Sequence, residues 1–116
     1  YLKEQTLEVF RGPEFHLLSA QQQDMLFNKS FSVNSASNRM AFLFNEILEN
    51  DLPSMLTMPV LPGTVQLTPS GKIIVLMRDC QTTGGYPRIL QLTKHALNVL
   101  GQKNFNSEVN FKKKPI

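Results

Sequence analysis

The sequence predicts an all-β fold, in which an antiparallel sheet closes into a small barrel and one or two short helices lie at its rims. Three observations predict it. The apolar residues fall into about six or seven short segments, separated by turns rich in Gly, Pro, Asn and Ser. Only two segments carry the start signals of a helix. Segment 73–77 is apolar at every position, so we expect a central strand that is covered on both faces.

The strands are predicted from alternating or continuous apolar residues. The first, TLEVF, alternates apolar and polar residues until Gly12 and Pro13 break it. TPSG at 68–71 is a tight turn that makes a hairpin of the segments on either side. The pattern of segment 38–47 leaves a strand and a buried turn both open. The predicted strands are 6–10, 30–34, 55–60, 63–68, 72–78, 88–92 and 108–113.

Both helices are predicted from their caps. Ser19 and Gln22 have the spacing of a capping box at the start of segment 20–28. Thr93 is the candidate N-cap of a shorter helix, KHALNVL, at 94–100. We therefore expect one helix before the second strand and one before the last strand.

Length and charge limit the class of protein. The 116 residues match one domain of common size, and we predict a single domain over 1–116. The chain does not begin with methionine, which we interpret as a sign that it is part of a longer protein. The net charge is +3, with three lysines at 112–114. Because no aromatic residues interleave with a basic stripe, we do not expect nucleic-acid binding. No run approaches the ~18 apolar residues of a membrane span.

The chain carries no recognisable catalytic or metal-binding motif. It lacks a P-loop, a G-x-S-x-G elbow, H-E-x-x-H and C-x-x-C. His16 and His95 lie far apart in sequence, so we expect no metal site. Cys80 has no partner for an internal disulfide, which favours a reducing, cytoplasmic location. We expect Cys80 to be a half-buried, inert thiol, because the sequence places no base near it.

Segment 81–87, QTTGGYP, is the first candidate binding feature. Its paired glycines allow positive φ and a close approach of a ligand to the main chain, whose amides could form an anion-binding nest. The neighbouring hydroxyls, amide and phenol offer hydrogen bonds and stacking. The alternative is a bulge or wide hairpin loop whose glycines serve backbone geometry alone. The candidate residues are Gln81, Thr82, Thr83, Gly84, Gly85 and Tyr86.

Arg39 is the second candidate. It lies in SNRM, directly before an apolar run, where a guanidinium could hold a carboxylate or phosphate with two hydrogen bonds. We expect Arg39 and segment 81–87 to border one concave surface. The alternative is a surface arginine that pairs with an aspartate or glutamate.

The stretch LPGTVQLTPSGKIIVLMRDCQTTGGYPRI, at 61–89, resembles the signature of the allophanate hydrolase subunit 2 family. That family includes KipA, the carboxyltransferase domain of urea carboxylase and the C subunit of bacterial ATP-dependent 5-oxoprolinase. The shared pattern runs from Pro-Gly-hydrophobic-Gln-hydrophobic, which contains Gln66, through an apolar strand to Asp-x-Gln-Thr-Thr-Gly-Gly-Tyr-Pro. FSVNSASNRMAF at 31–42, LEVFRGPEF at 7–15 and the final EVNF extend the resemblance over nearly the whole chain.

The resemblance implies a cyclophilin-like closed barrel that forms the C-terminal portion of a longer family member. It implies part of a heteromeric, ATP-dependent enzyme that processes an amide or lactam, either the C subunit of 5-oxoprolinase or a urea carboxylase or allophanate hydrolase-type carboxyltransferase. This portion would supply a small-molecule binding face of Arg39, Gln66 and segment 81–87. It would bind no cofactor alone, since ATP, and carboxybiotin for a carboxyltransferase, belong to the whole complex.

The resemblance also implies partners, namely a KipI-like (allophanate hydrolase subunit 1) protein and the missing N-terminal half, without which the fragment is inactive. The alternative is a non-catalytic, KipA-like regulatory module that pairs with a KipI-like protein. The chain departs from the family pattern at a few positions, including the loss of a second arginine at Leu43. The other departures are Asn38, Ala41 and Ala96.

Overall fold

The computed structural model describes residues 4–114, which form nine strands and two α-helices. The helices are α1 (Ala20–Asn28) and α2 (Lys94–Leu100), and a 3-10 turn covers Phe15–Leu17. The strands are β1 (Thr6–Arg11), β2 (Phe31–Ser32), β3 (Ala41–Ile47), β4 (Met58–Pro59), β5 (Thr64–Leu67), β6 (Lys72–Leu76), β7 (Thr83–Gly84), β8 (Arg88–Leu92) and β9 (Glu108–Lys113).

Seven strands form one sheet in the order β2-β9-β1-β8-β5-β6-β3. A bridge between Val33 and Phe44 joins the two outer strands and closes the sheet into a barrel. The predicted closed β-barrel with two short helices is therefore confirmed.

The prediction that every strand pair is antiparallel is wrong, because β1 pairs with β9 in parallel. α2 packs on β1 and carries the chain from β8 across β1 to β9. Since β1 is antiparallel to β8 and the chain reverses between β8 and β9, β1 and β9 run in the same direction.

One apolar core fills the barrel and extends under both helices. Segment 73–77 supplies Ile73, Val75 and Met77 to this core, and Leu76 is also buried, while Ile74 is half-buried. The expected central strand is thus present, covered fully on one face and mostly on the other. Three phenylalanines of β2, β3 and β9 pack with ring centroids 5.4 to 5.9 Å apart where the barrel closes.

The helices begin where their caps predict. Ser19 and Gln22 form the expected capping box, with Ser19 N donating to Gln22 Oε1 at 2.8 Å and Gln22 N donating to Ser19 Oγ at 3.1 Å. Segment 38–47, which the sequence left open, forms β3 from Ala41 onwards. No helix among residues 4–114 has the length and apolar character needed to cross a bilayer.

β4 and β7 form a separate two-stranded ribbon, which is here called the β4–β7 ribbon. The ribbon lies on the face of β5 that points away from the core. Val65 and Leu67 face the core, so the intervening Gln66 points to the other face, yet only 1% of Gln66 is exposed. The ribbon therefore covers a polar side chain of the barrel wall.

Candidate binding site

An open cavity of about 420 Å³ lies beside the start of β3, the end of β6 and α2. Its floor is apolar and is formed by Phe42 of β3, Met77 directly after β6 and Leu97 of α2, all of them buried. Its rim carries two guanidinium groups, one carboxylate and two amides. The rim residues are Arg39, Arg78, Asp79, Asn98, Gly101 and Gln102.

Arg39 lies on the turn that enters β3. Asn38 Oδ1 accepts a hydrogen bond from Met40 N at 2.8 Å, which shapes this turn. Met77 N donates to Met40 O at 3.0 Å and Asp79 N donates to Arg39 O at 3.4 Å, so the turn is tied to the end of β6. Arg39 Nε lies 3.6 Å from Asp79 Oδ2, and the arginine side chain is 93% exposed. Arg39 thus pairs with an aspartate, and its ligand-binding role stays a prediction.

Arg78 links the cavity to α2. Its Nη2 donates a hydrogen bond to Asn98 Oδ1 on the helix. The helix is fixed at its start by Thr93, whose Oγ1 accepts a hydrogen bond from Ala96 N at 3.1 Å. Its buried face, which includes Leu97, packs into the core. The second guanidinium is therefore held beside a helix with a fixed position.

Segment 81–87 is placed in the β4–β7 ribbon and contributes no residue to the cavity lining. Val60 N donates to Thr82 O at 3.0 Å, and Met55 N donates to Gly85 O at 3.0 Å. Tyr86 is 39% exposed. Along the chain, Cys80 joins this segment to Asp79 at the cavity rim. Its role in ligand binding, and a surface shared with Arg39, stay predictions.

The positive φ values expected at Gly84 and Gly85 occur instead at Gly63 (91°) and Gly71 (89°). The physical reason at Gly84 is that Thr83–Gly84 forms β7 and pairs with β4, whereas Gly63 and Gly71 lie at turns. Gly84 has a different constraint, because a Cβ there would lie 2.3 Å from Gln66 Nε2. That nitrogen has no hydrogen-bond partner within the described residues.

The exit of segment 81–87 is fixed by a half-buried ion pair. Arg88 Nε and Nη2 donate to the two carboxylate oxygens of Glu14 at 2.8 and 2.9 Å, and Arg88 N also donates to Glu14 Oε1. The hydrogen bond from the Arg88 side chain outweighs the effect of burial and lowers the pKa of Glu14. Arg88 Nη1 reaches Pro59 O at 3.3 Å, so the same residue also contacts the ribbon.

Cys80 fits the expected inert thiol, since it is half-buried and burial raises its pKa. In the part of the chain that the structure describes, no three His, Cys, Asp or Glu residues come together in a way that could hold a metal ion.

The family model for the carboxyltransferase domain, subdomains A and B, matches residues 1–113. The chain belongs to the carboxyltransferase domain family. This confirms the resemblance inferred from the sequence. Of the residues in the stretches that carry the resemblance, Arg39 and Asp79 meet at the rim of the cavity.

Two curated relatives of this chain are C subunits of 5-oxoprolinase. The protein of Escherichia coli (strain K12) is 37% identical over 102 residues, which cover 86% of this chain and 33% of that protein. The protein of Haemophilus influenzae is 35% identical over 100 residues, which cover 84% of this chain and 32% of that protein. The chain thus spans about a third of the length of these relatives.

Two solved structures agree with this chain in fold. The crystal structure of TTHA0988 superposes with a TM-score of 0.78 at 28% identity, covering 97% of this chain and 22% of that one. The Kluyveromyces lactis urea carboxylase superposes with a TM-score of 0.80 at 15% identity. The match covers 96% of this chain and 11% of that one. At 15% identity the second likeness shows the fold alone.

Sequence reasoning did not select the cavity floor or Arg78, Asn98 and Gly101 as site residues. The floor side chains read as ordinary core residues, and only the register of β3 against β6 brings them beside α2. Arg78 did carry a signal, because it is the first charged residue after a strand of five apolar residues. A charge at that position marks where a buried strand reaches the surface.

Proposed function

We propose that this chain supplies a small-molecule binding face to a multi-subunit, ATP-dependent enzyme that processes an amide or lactam, of the 5-oxoprolinase or urea carboxylase type. The observation that carries the proposal is the family match over residues 1–113, together with relatives that are C subunits of 5-oxoprolinase. Because those relatives are subunits, they support a complex with other polypeptides. We propose a KipI-like protein as one of them on the basis of the family resemblance. One cysteine without a disulfide partner supports a cytoplasmic enzyme.

ATP does not fit the residues of this chain. The sequence has no P-loop, and neither Gly84 nor Gly85 has the positive φ typical of a backbone nest for phosphate. Gly84 packs against Gln66, and the carbonyl of Gly85 accepts a hydrogen bond from Met55 N. The chain also lacks the Met-Lys-Met sequence of a biotin carrier. We therefore assign nucleotide and biotin binding to other parts of the complex.

Reconstitution tests the proposal. The full-length protein that contains this chain is co-expressed with its neighbouring subunits, and ATP-dependent release of glutamate from 5-oxoproline is measured. We expect turnover by the complex and none by the 116-residue chain alone. Arg39→Gln should lower turnover about tenfold or more, because a charge-assisted contact to the substrate is lost. Lys72→Gln removes the same charge at the far end of β6 and should have no effect.

Turnover by the isolated chain would refute the shared site, and equal turnover of Arg39→Gln and wild type would refute the role of Arg39. A complex that releases no glutamate but forms stably would favour the second candidate, a non-catalytic regulatory module. Exposed apolar side chains support that candidate, since Leu56 is 86% and Leu61 is 69% exposed beside the ribbon.

A further inference from the structure

The geometry points to a specific task for the cavity: it binds the carboxylate end of a small cyclic organic acid, with the ring on the apolar floor and the carboxylate at Arg39 and Arg78. The inference rests on the proposed function, because it names the ligand class of the Arg39 face. It adds that this chain recognises the acid group of the ligand and not its amide or lactam group.

The floor favours a compact apolar body. The three floor side chains are almost fully buried, with exposed fractions of 9% for Phe42, 5% for Met77 and 6% for Leu97. All three line the same open cavity. A Cβ on Gly101 would lie 3.7 Å from Met77 Cε. Because glycine has no side chain, the space beside Met77 at the edge of the cavity stays open. A volume of about 420 Å³ admits a five- or six-membered ring with one substituent.

The rim favours an anion. It carries two guanidinium groups and one carboxylate, which gives a net charge of +1 (two minus one). The contact between Arg39 and Asp79 is long, with 3.6 Å between Nε and Oδ2, and it joins exposed side chains, so Arg39 keeps N–H donors for another acceptor. Arg78 uses Nη2 for Asn98 and keeps further N–H donors. A carboxylate placed between the two arginines would meet donors from both.

The same rim gives little recognition of a lactam. A lactam carries no net charge, so it cannot form the pair of opposite charges that a carboxylate forms with a guanidinium group. Its carbonyl and N–H groups could contact the arginines or Asp79, but each such hydrogen bond would have one charged partner rather than two. Acid recognition by this chain leaves the reacting amide bond to residues outside the cavity.

Matched probes separate the two kinds of recognition. The 116-residue chain, labelled with ¹⁵N and ¹³C-methyl groups, is titrated in parallel with cyclopentanecarboxylate, 2-pyrrolidinone and L-5-oxoproline. Both acids should shift the methyl signals of Met77 and Leu97 and the amide of Asn98, with a Kd on the order of 1 mM. 2-Pyrrolidinone, a lactam without the acid, should bind at least about tenfold more weakly.

Three variants locate the contact. Arg78→Gln should weaken binding of cyclopentanecarboxylate about fivefold to tenfold, as expected for one charge-assisted contact. Arg78→Lys keeps the charge without the fork of donors and should recover part of the loss. Lys72→Gln lies on the same strand away from the cavity and should bind like wild type, which separates a local contact from a change in net charge.

The inference is overturned if neither acid shifts the cavity signals at an acid concentration about 50-fold above the expected Kd. It is also overturned if 2-pyrrolidinone binds as well as the acids. A third contradicting result would be chemical shift changes that centre on segment 81–87. The outcome is independent of turnover. Acid binding in the cavity with an inactive reconstituted complex sinks the proposed function and keeps the site. Turnover by the complex without acid binding in the cavity keeps the proposed function and refutes the site.

Discussion

At Gly84, an added Cβ would lie 2.3 Å from Gln66 Nε2 and 3.4 Å from Val60 Cγ1. The amide of Gln66 has little room to move away, because only 1% of the residue is exposed. A glycine next to a candidate binding segment can therefore be required by packing alone. At Gly85 the nearest atom to an added Cβ is Met55 O at 3.5 Å, which is an ordinary contact.

These two neighbours form a matched pair of substitutions. Gly84→Ala should lower the free energy of unfolding by roughly 1–3 kcal/mol, since it overpacks a closed site. Gly85→Ala should change it by less than about 0.5 kcal/mol. Urea unfolding measures both. Combining Gly84→Ala with Gln66→Ala should cost less than the sum of the two single changes, and strict additivity would show that the clash is not with Gln66.

The Glu14–Arg88 pair predicts a dependence on pH. The pKa of Glu14 is lowered in the folded chain, chiefly by the hydrogen bond from Arg88. The unfolded chain therefore takes up a proton first as the pH falls below about 4.3, and the stabilisation is lost as the pH falls through the lowered folded value.

Glu14→Gln should unfold more easily at pH 7, by roughly 1–3 kcal/mol, because a charged hydrogen-bond acceptor is removed from a half-buried arginine. The variant should also lose less stability than wild type between about pH 5 and pH 3, where the carboxylate titrates. Glu108→Gln, at an exposed position of β9, is the control. Parallel pH profiles for wild type and Glu14→Gln would contradict this account.

At the scale of elements, the helices and most strands could be predicted because their signals are local. Ser19 and Thr93 are N-caps, and the side chain of each accepts a hydrogen bond from the amide three residues later. Alternating apolar and polar residues mark β1 and β9. The predicted strand 55–60 is reduced to Met58–Pro59, and β7 and its pairing with β4 were missed, because strands of two residues exist only through their pairing. The cavity was missed for a related reason. Its lining comes from three elements, and no local pattern reports that they meet.

The cap of α2 offers a test at one position. Thr93→Ala removes the acceptor for Ala96 N and should cost about 1 kcal/mol of stability, whereas Thr93→Ser keeps a hydroxyl and should cost a few tenths. Because α2 carries Leu97 and Asn98, the alanine variant should also broaden the signals of the cavity. Equal losses for alanine and serine would mean that the methyl group, rather than the cap, matters.

At the scale of the whole molecule, the barrel and the ribbon should differ in stability. The barrel is closed around one core, and next to its closure Ser32 Oγ donates to Glu46 Oε2 at 2.7 Å. The ribbon has two short strands, and ribbons of this size are marginal by themselves.

Native-state hydrogen exchange should separate the two parts. The amides of Met55 and Val60, which bond to segment 81–87, should exchange at least about 100-fold faster than those of Val65 and Leu92 in the sheet, because local opening of the ribbon needs no opening of the core. Comparable protection at all four amides would show that ribbon and barrel unfold together. If the amides of Met55 and Val60 do exchange faster, they identify the part of this chain that can adapt to a ligand or to another polypeptide.

The parallel pairing of β1 with β9 also has a consequence for synthesis. During synthesis β1 emerges about 100 residues before β9 (Glu108–Lys113), which is its neighbour on that side. Until then β1 presents an open edge with buried-type side chains at Leu7 and Val9, and such edges recruit other chains. A nascent or truncated chain that ends before residue 108 should therefore aggregate or require a chaperone. Folding of this barrel should be slow for its size, since the pairing of β1 with β9 joins segments far apart in the sequence.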